Sequence, residues 1–284
     1  LDGGQTWTPR AALVRRATAL AALQNGSVLA YDDTVFHREG RDFVAQMCVS
    51  RDRGESFGPL QLVHYTARVD DVGTPVDPAL RKAYAGSSAR WSDRVIPGLR
   101  GRVVQLGEDD LMGCGQGPVT PDGDRGIVCY RSIDSGLTWT RASSLPGEGL
   151  SDPALVLTAT GRLICVASRG PDQRMARFES FDQGETWQEG SPLPKPGQSP
   201  DLCRLSNGVL VCGYGGQGIR LMFSVDGSAR QWTDHVLIDD IESDEGDGPS
   251  LAEGKPGQLL IVYSRKGTAL LTATVDITKS VPGK

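Results

Sequence analysis

Long apolar runs are missing from this 284-residue chain. No stretch reaches about 18 consecutive apolar residues, so there is no candidate for a membrane-spanning helix and a soluble chain is expected. Histidine is scarce: His37, His64 and His235 stand far apart without metal-ligand spacing, and no metal site is expected. A basic tract is also lacking. Thirty Lys and Arg against 35 Asp and Glu give a formal net charge of −5, which disfavours nucleic acid as a partner. No Ser-His-Asp order and no phosphate-cradling glycine loop occurs, and the glycines between Gly213 and Gly218 mark a strand end and a turn. No cofactor is expected. The opening Leu1-Asp2-Gly3-Gly4 carries no basic and apolar export segment, the pattern either of a mature form or of a chain without such a signal. Cytoplasm, periplasm and secretion stay open, and so does oligomeric state.

The six cysteines sit mostly inside apolar, strand-like runs such as Met47-Cys48-Val49, Val128-Cys129-Tyr130 and Ile164-Cys165-Val166. There cysteine acts as a small buried hydrophobe, and free thiols are expected. Cys203 and Cys212 form one exception. If Asn207-Gly208 is a two-residue hairpin turn, they fall opposite each other, either bridged or stacked.

Glycine and proline are plentiful, at 36 and 17, and are scattered among short Val, Leu and Ile runs. That distribution predicts many short strands joined by tight turns. Repetition then appears in the open. Asp134-Ser135-Gly136-Leu137-Thr138-Trp139 and Asp182-Gln183-Gly184-Glu185-Thr186-Trp187 share the form Asp-X-Gly-X-Thr-Trp, with Ser132 and Ser180 two residues upstream. Asp2 to Trp7 is a third copy, Asp52 to Phe57 a fourth, and Asp226 to Trp232 a degenerate fifth. The aspartate can accept backbone N–H bonds within its own turn, the glycine supplies a positive φ, and the aromatic ring fills space between neighbouring units. Strand, glycine turn and strand recur at Ala19 to Leu29, Ala154 to Ile164, Asp201 to Leu210 and Pro249 to Leu260.

These elements resemble the Asp boxes of the sialidase (neuraminidase) superfamily, where they lie between the third and fourth strands of propeller blades and are structural. The resemblance implies an all-β, six-bladed β-propeller forming one domain over residues 1–284. The aspartates at 2, 52, 134, 182, 226 and 276 stand 50, 82, 48, 44 and 50 residues apart. The gap of 82 holds either a degenerate blade near residues 60–93, giving six blades, or a long insertion at 64–96, giving five. The strand near Arg10 to Val14 is expected to complete a last blade begun by the C-terminal strands, leaving no free sheet edge.

In a propeller, first-strand starts and second-strand ends of different blades converge on one rim. That geometry selects Arg16, Asp152, Asp201 and Asp247, together with Asp32, Asp33, Arg169, Tyr214, Tyr263 and Arg265. Such a set of cations and carboxylates is either a hydrated rim of ion pairs or a site for an anionic sugar. The resemblance favours the second. Arg16-Ala17-Thr18-Ala19-Leu20 is similar to the Arg-Ile-Pro-Ala-Leu signature of sialidases. It makes Arg16, Arg169 and Arg220 the carboxylate clamp, with Asp33 and Arg265 as further substrate-binding residues. Asp42 would be the general acid, with Asp32 and Asp33 as competitors, and Asp152 would polarise the nucleophile. One departure stands out: where the family places a tyrosine nucleophile, this chain reads Asp247-Gly248-Pro249-Ser250-Leu251. Asp247 or Tyr263 would take the role, or the step is lost. The acidic run from Asp239 to Asp247 reads first as a solvated loop. The expected function is an exo-glycoside hydrolase releasing a terminal, sialic-acid-like sugar. The alternatives are a propeller glycosidase or lyase of other specificity and a non-catalytic glycan-binding propeller.

Overall fold

The computed structural model describes residues 6, 17–32, 34–39, 42–66, 95–118, 125–170, 174–242, 248–265 and 269–278. All regular elements among them are strands, as the glycine-punctuated apolar runs require. Among the described residues no helix is long and apolar enough to cross a membrane. Two compact units are present: Leu1–Thr8 with Ser151–Gln183 and Trp187–Lys284, and Pro9–Leu150 with Gly184–Thr186.

In the second of these, β1 (Ala19–Ala22), β2 (Val28–Tyr31), β3 (Thr34–Glu39), β4 (Asp42–Ser50) and β5 (Gln61–Thr66) precede β6 (Val95–Pro97). They are followed by β7 (Leu99–Gln105), β8 (Leu111–Pro118), β9 (Arg125–Ser132) and β10 (Thr138–Ser144). The sequence predicts separate propeller blades here, with either a further degenerate blade or a long insertion between them. Instead β1 pairs in parallel with β7, and β10 in parallel with β5, so eight strands close into a ring, while β3 and β6 pair at its side. Closure leaves these eight strands without an open edge. Tyr31, Tyr65, Phe43 and Trp139 fill the interior. The Trp139 ring meets Tyr31 edge to face at 5.8 Å, as expected for an aromatic plug between units.

The first unit holds β11 (Leu150–Leu157), β12 (Leu163–Arg169), β13 (Arg174–Ser180) and β14 (Gln188–Glu189), then β15 (Gln198–Arg204), β16 (Leu210–Gly215), β17 (Gln217–Ser224) and β18 (Val236–Glu242). It ends with β19 (Ser250–Glu253), β20 (Gln258–Arg265) and β21 (Ala269–Asp276). Each set is an antiparallel meander. Ala154, Val166, Leu202 and Cys212 form the core between the first two sheets. Cys203, Leu221, Leu251 and Ile261 form the core between the second and third. The described residues thus contain the closed ring and three meanders, the last with three strands. The 82-residue gap is bounded by β5 and β6, and its middle, 67–94, lies outside the described residues, as does the segment from Arg10 to Val14. Asp276 is a strand residue accepting from Gln258 Nε2 at 3.0 Å, not the start of a further box.

Hairpin geometry corrects the cysteine expectation. Leu205 N–H donates to Val209 O at 2.9 Å, which makes the loop three residues long, with Gly208 at φ 87°. The register pairs Leu202 with Cys212 and Cys203 with Val211. This single-residue shift puts Cys203 and Cys212 on opposite faces of the sheet, in separate cores. All six cysteines are free thiols and buried, as expected.

The Asp boxes are built around a buried serine. Ser50, Ser132, Ser180 and Ser224 donate to Asp52, Asp134, Asp182 and Asp226 at 2.7–2.9 Å. Gly54 and Gly136 N–H donate back to the Ser50 and Ser132 hydroxyls at 2.7 and 2.9 Å. The degenerate copy has the same design with a longer loop: Ala229 N–H donates to Ser224 Oγ at 3.0 Å, and Trp232 Nε1 to Ala229 O at 2.9 Å. The Ser56 hydroxyl, its N–H and the Ser50 hydroxyl hold the Asp52 carboxyl down at about 2.

Candidate functional site

The strands β11, β15 and β19 all begin at one end of their sheets, and each opens with the same short pattern. Asp152-Pro153-Ala154-Leu155, Ser199-Pro200-Asp201-Leu202 and Gly248-Pro249-Ser250-Leu251 share X-Pro-X-Leu, with the leucines at 1%, 0% and 2% exposure. The residue before proline is excluded from the ordinary helical region. In two of the three it takes a positive φ instead of the extended backbone proline ordinarily imposes: 50° at Asp152 and 47° at Ser199, uncommon for residues with a side chain. Ser199 N–H is anchored by Ser168 Oγ at 3.1 Å, and Ser151 Oγ donates to Asp152 Oδ2 at 3.1 Å. At the third start no side chain fits, because a Cβ on Gly248 would lie 1.8 Å from Ser199 O. That contact is a physical reason why position 248 carries no side chain. The shared pattern was readable in the sequence but passes unnoticed when each strand is aligned on its glycine turn.

Several predicted residues cluster at this same end. Tyr263, 7% exposed near the end of β20, donates its hydroxyl to Asp239 Oδ2 on β18 at 3.0 Å. The carboxylate at Tyr263 is therefore Asp239, where the sequence offered Asp152 for a tyrosine nucleophile. Asp239 and Asp240 lie in β18, so the first part of the acidic run is strand, not loop. Asp201 is structural: Oδ1 accepts Leu202 N–H at 2.9 Å, and Oδ2 accepts Leu251 N–H of the neighbouring sheet at 2.8 Å. Tyr214 faces His235, with OH and Nδ1 3.2 Å apart, and burial raises its phenol pKa against the opposing pull of Arg220.

The two described arginines of the expected clamp have different surroundings. Arg220 is opposite Tyr214 in the ladder, and its Nε is buried without a hydrogen-bond partner among the described residues. Arg169 closes β12, but strand alternation puts it on the face of Cys165 and Phe178, away from the core that Val166 shares with the next sheet. Its guanidinium lies 5.9 Å from the Phe178 ring centre, Nη1 donates to Glu189 Oε1 at 2.5 Å, and its Nε, like that of Arg220, is buried without a hydrogen-bond partner among the described residues. Arg16, Asp33 and Asp247 lie outside those residues. Asp42 opens β4 opposite Thr66 and Arg265 closes β20, but their side chains are not described.

A second polar cluster was missed from sequence. Glu179, 7% exposed in its side chain, gathers three guanidinium groups: Arg177, Arg162 at 2.9 Å and Arg230 at 3.3 Å. Burial works against its ionisation, but the hydrogen bonds from Arg230 and Arg177 and their charges hold its pKa below the usual range. Arg162 and Arg230 reach it from distant segments, and only the Arg177-X-Glu179 alternation was a local signal. No group of three or more metal-ligating side chains occurs among the described residues.

Residues 178–189, from Phe178 through the Asp182 box to Glu189, match the BNR/Asp-box repeat. No curated protein sequence matches the chain. Among solved structures, the chain is similar to a protein of unknown function from Dyadobacter fermentans DSM 18053, with a TM-score of 0.66 at 14% identity over 90% of this chain and 74% of that one. It is also similar to the Hadza microbial sialidase Hz136, with a TM-score of 0.56 at 14% identity over 92% of this chain and 65% of that one. A point mutant of the NanB sialidase from Streptococcus pneumoniae follows at 0.55 and 17% identity, over 78% of this chain and 32% of that one. The chain thus spans less than two thirds of either sialidase. The resemblance to the sialidase superfamily is supported by repeat and by fold: this is an all-β, Asp-box protein with a sialidase-like fold.

Proposed function

We propose that this chain is an exo-acting glycoside hydrolase of the sialidase type, taking a terminal acidic sugar from a glycan. The meanders would be blades of a six-bladed propeller in one domain, its last blade completed by the strand near Arg10 to Val14. The observation that carries the reading is the Tyr263–Asp239 hydrogen bond beside the strand starts. A phenol with its ordinary pKa near 10 is a weak nucleophile at neutral pH, and a carboxylate able to draw off its proton makes it a competent one. Asp239 thus supplies the partner that Tyr263 needs.

Arg220, with its unpartnered buried Nε, would grip the sugar carboxylate, joined by Arg16 and Arg169. Asp42 would be the general acid, with Asp33 and Arg265 lining the site. Asp152 would orient the nucleophile, its positive φ being the kind of strain that gathers at working sites. Asp247 is the competing nucleophile. Retention of configuration needs the two reacting groups about 5 Å apart, and inversion about 6.5–9.5 Å.

The test is turnover of a fluorogenic sialoside beside a panel of neutral and uronic-acid glycosides. Tyr263→Phe removes one hydroxyl and should lower kcat by about 10^4-fold. Asp239→Asn should lower it by about 10^2 to 10^4-fold. Full activity in Tyr263→Phe overturns the assignment. The Arg169–Glu189 ion pair favours a second reading, in which the rim is satisfied internally and the protein binds glycans without cleaving them. Glycan binding without turnover of any glycoside supports that reading. Cleavage of neutral glycosides alone supports a hydrolase of different specificity.

A further inference from the structure

We infer that Cys114 and Cys129 are a built-in thiol oxidation site that closes a cross-strand disulfide in the stem of the β8–β9 hairpin. The two residues face each other in the antiparallel ladder, between the pairs Gly113–Tyr130 and Gly115–Val128. Their Sγ atoms are 3.5 Å apart. Directly opposed residues in such a ladder keep their Cα atoms about 4.5–5.5 Å apart. That separation falls inside the roughly 4.4–6.8 Å span of disulfides, so closure asks for side-chain rotation and a sulfur approach of about 1.5 Å, with no strand displacement.

The other four thiols lack this arrangement. Cys48 faces Ala30, Cys165 faces Phe178, and Cys203 and Cys212 lie on opposite faces of their sheet. Cys114 and Cys129 are 1% and 0% exposed, so an external reagent reaches them only when the hairpin opens. With an oxidised small-molecule disulfide as oxidant, one cysteine thiolate attacks a reagent sulfur and expels the first reduced thiol, leaving a mixed disulfide. The second thiolate attacks the protein sulfur of that intermediate and expels the second reduced thiol. Two electrons pass to the reagent, and the two cysteine protons end on the two released thiols. The link joins residues 15 apart, restricts the unfolded chain and fixes the hairpin stem within the closed ring.

The experiment treats the full chain with oxidised glutathione in two ways, as the native protein and during refolding in a glutathione buffer. Remaining thiols are blocked with N-ethylmaleimide in denaturant, and the protein is digested with trypsin without reduction. Cleavage after Arg102, Arg125 and Arg131 leaves Cys114 in peptide 103–125 and Cys129 in peptide 126–131. The expected product is these two peptides joined, lighter than their sum by two hydrogens and separated by reduction. It should be more complete in the refolded sample and accompanied by a higher Tm that Cys129→Ala no longer shows. Blocking of both cysteines by N-ethylmaleimide in both samples, or a link through any other cysteine, overturns the inference.

Discussion

At Gly248 two strand starts approach so closely that no side chain fits between them. Ser199 O occupies the place a side chain there would need, so Gly248→Ala forces the two strand starts apart. It should cost about 1–3 kcal/mol, read as a fall in denaturant midpoint at unchanged slope. Asp152 makes the complementary case. Its φ of 50° strains a residue that carries a side chain, and Asp152→Gly should stabilise by up to about 1 kcal/mol. Should Asp152 serve the chemistry, the same variant turns over substrate more slowly, a trade of activity for stability measurable on one sample. Away from that end, Glu179→Gln removes the carboxylate shared by three guanidiniums and leaves Arg177, 7% exposed, without a counter-charge. A loss of about 3 kcal/mol in chemical denaturation is expected.

At the scale of the element, the Asp box is a hydrogen-bonded knot whose centre is the serine two residues before the aspartate. Ser132→Ala deletes the donor to Asp134 and the acceptor for Gly136 N–H in a buried position, and should cost about 1–3 kcal/mol. The carboxylates also make the boxes sensitive to acid. Asp52 drops from its usual 3.8 to about 2, chiefly through the Ser56 hydroxyl. Asp226 lies low through the Ser228 N–H, burial opposing. Burial also opposes the lowering at Asp134, which the Thr138 N–H and hydroxyl produce. A depressed folded pKa means the contribution is fully present above the unfolded value and is lost as pH falls through the folded one. Tm should therefore drop most steeply between about pH 4 and pH 2, and Asp52→Asn should flatten that part of the profile.

For the whole molecule, six buried thiols are a built-in reporter of folding. A thiol reagent should find almost none of them in the reduced native protein and all six after unfolding, over the same denaturant range that abolishes β-sheet circular dichroism. Early release of a subset would assign those cysteines to a unit that opens on its own. The existence of two compact units makes that outcome measurable, since Cys48, Cys114 and Cys129 belong to one unit, and Cys165, Cys203 and Cys212 to the other.

Local chemistry made the repeat legible in the chain: serine, aspartate, glycine and tryptophan of each box bond within a few residues, so their order already specifies the turn and the meander around it. The polar partners at the strand starts were only half legible, because they depend on ladder register and on which sheets lie side by side. Tyr263 was foreseen, but Asp239 was read as loop until β18 paired Ile219 with Asp239 and set that carboxylate beside the phenol. Cys203 and Cys212 were aligned across a two-residue turn, and one additional loop residue sent them to opposite faces. Cys114 and Cys129 are brought opposite each other only by the ladder. The amino-acid sequence by itself determined the all-β class, the Asp boxes and the turns, because those interactions are short-range. The tertiary structure alone decided the pairing of Tyr263 with Asp239, of Arg169 with Glu189 and of Cys114 with Cys129, because a shift of one residue in a ladder reverses the face of every side chain beyond it.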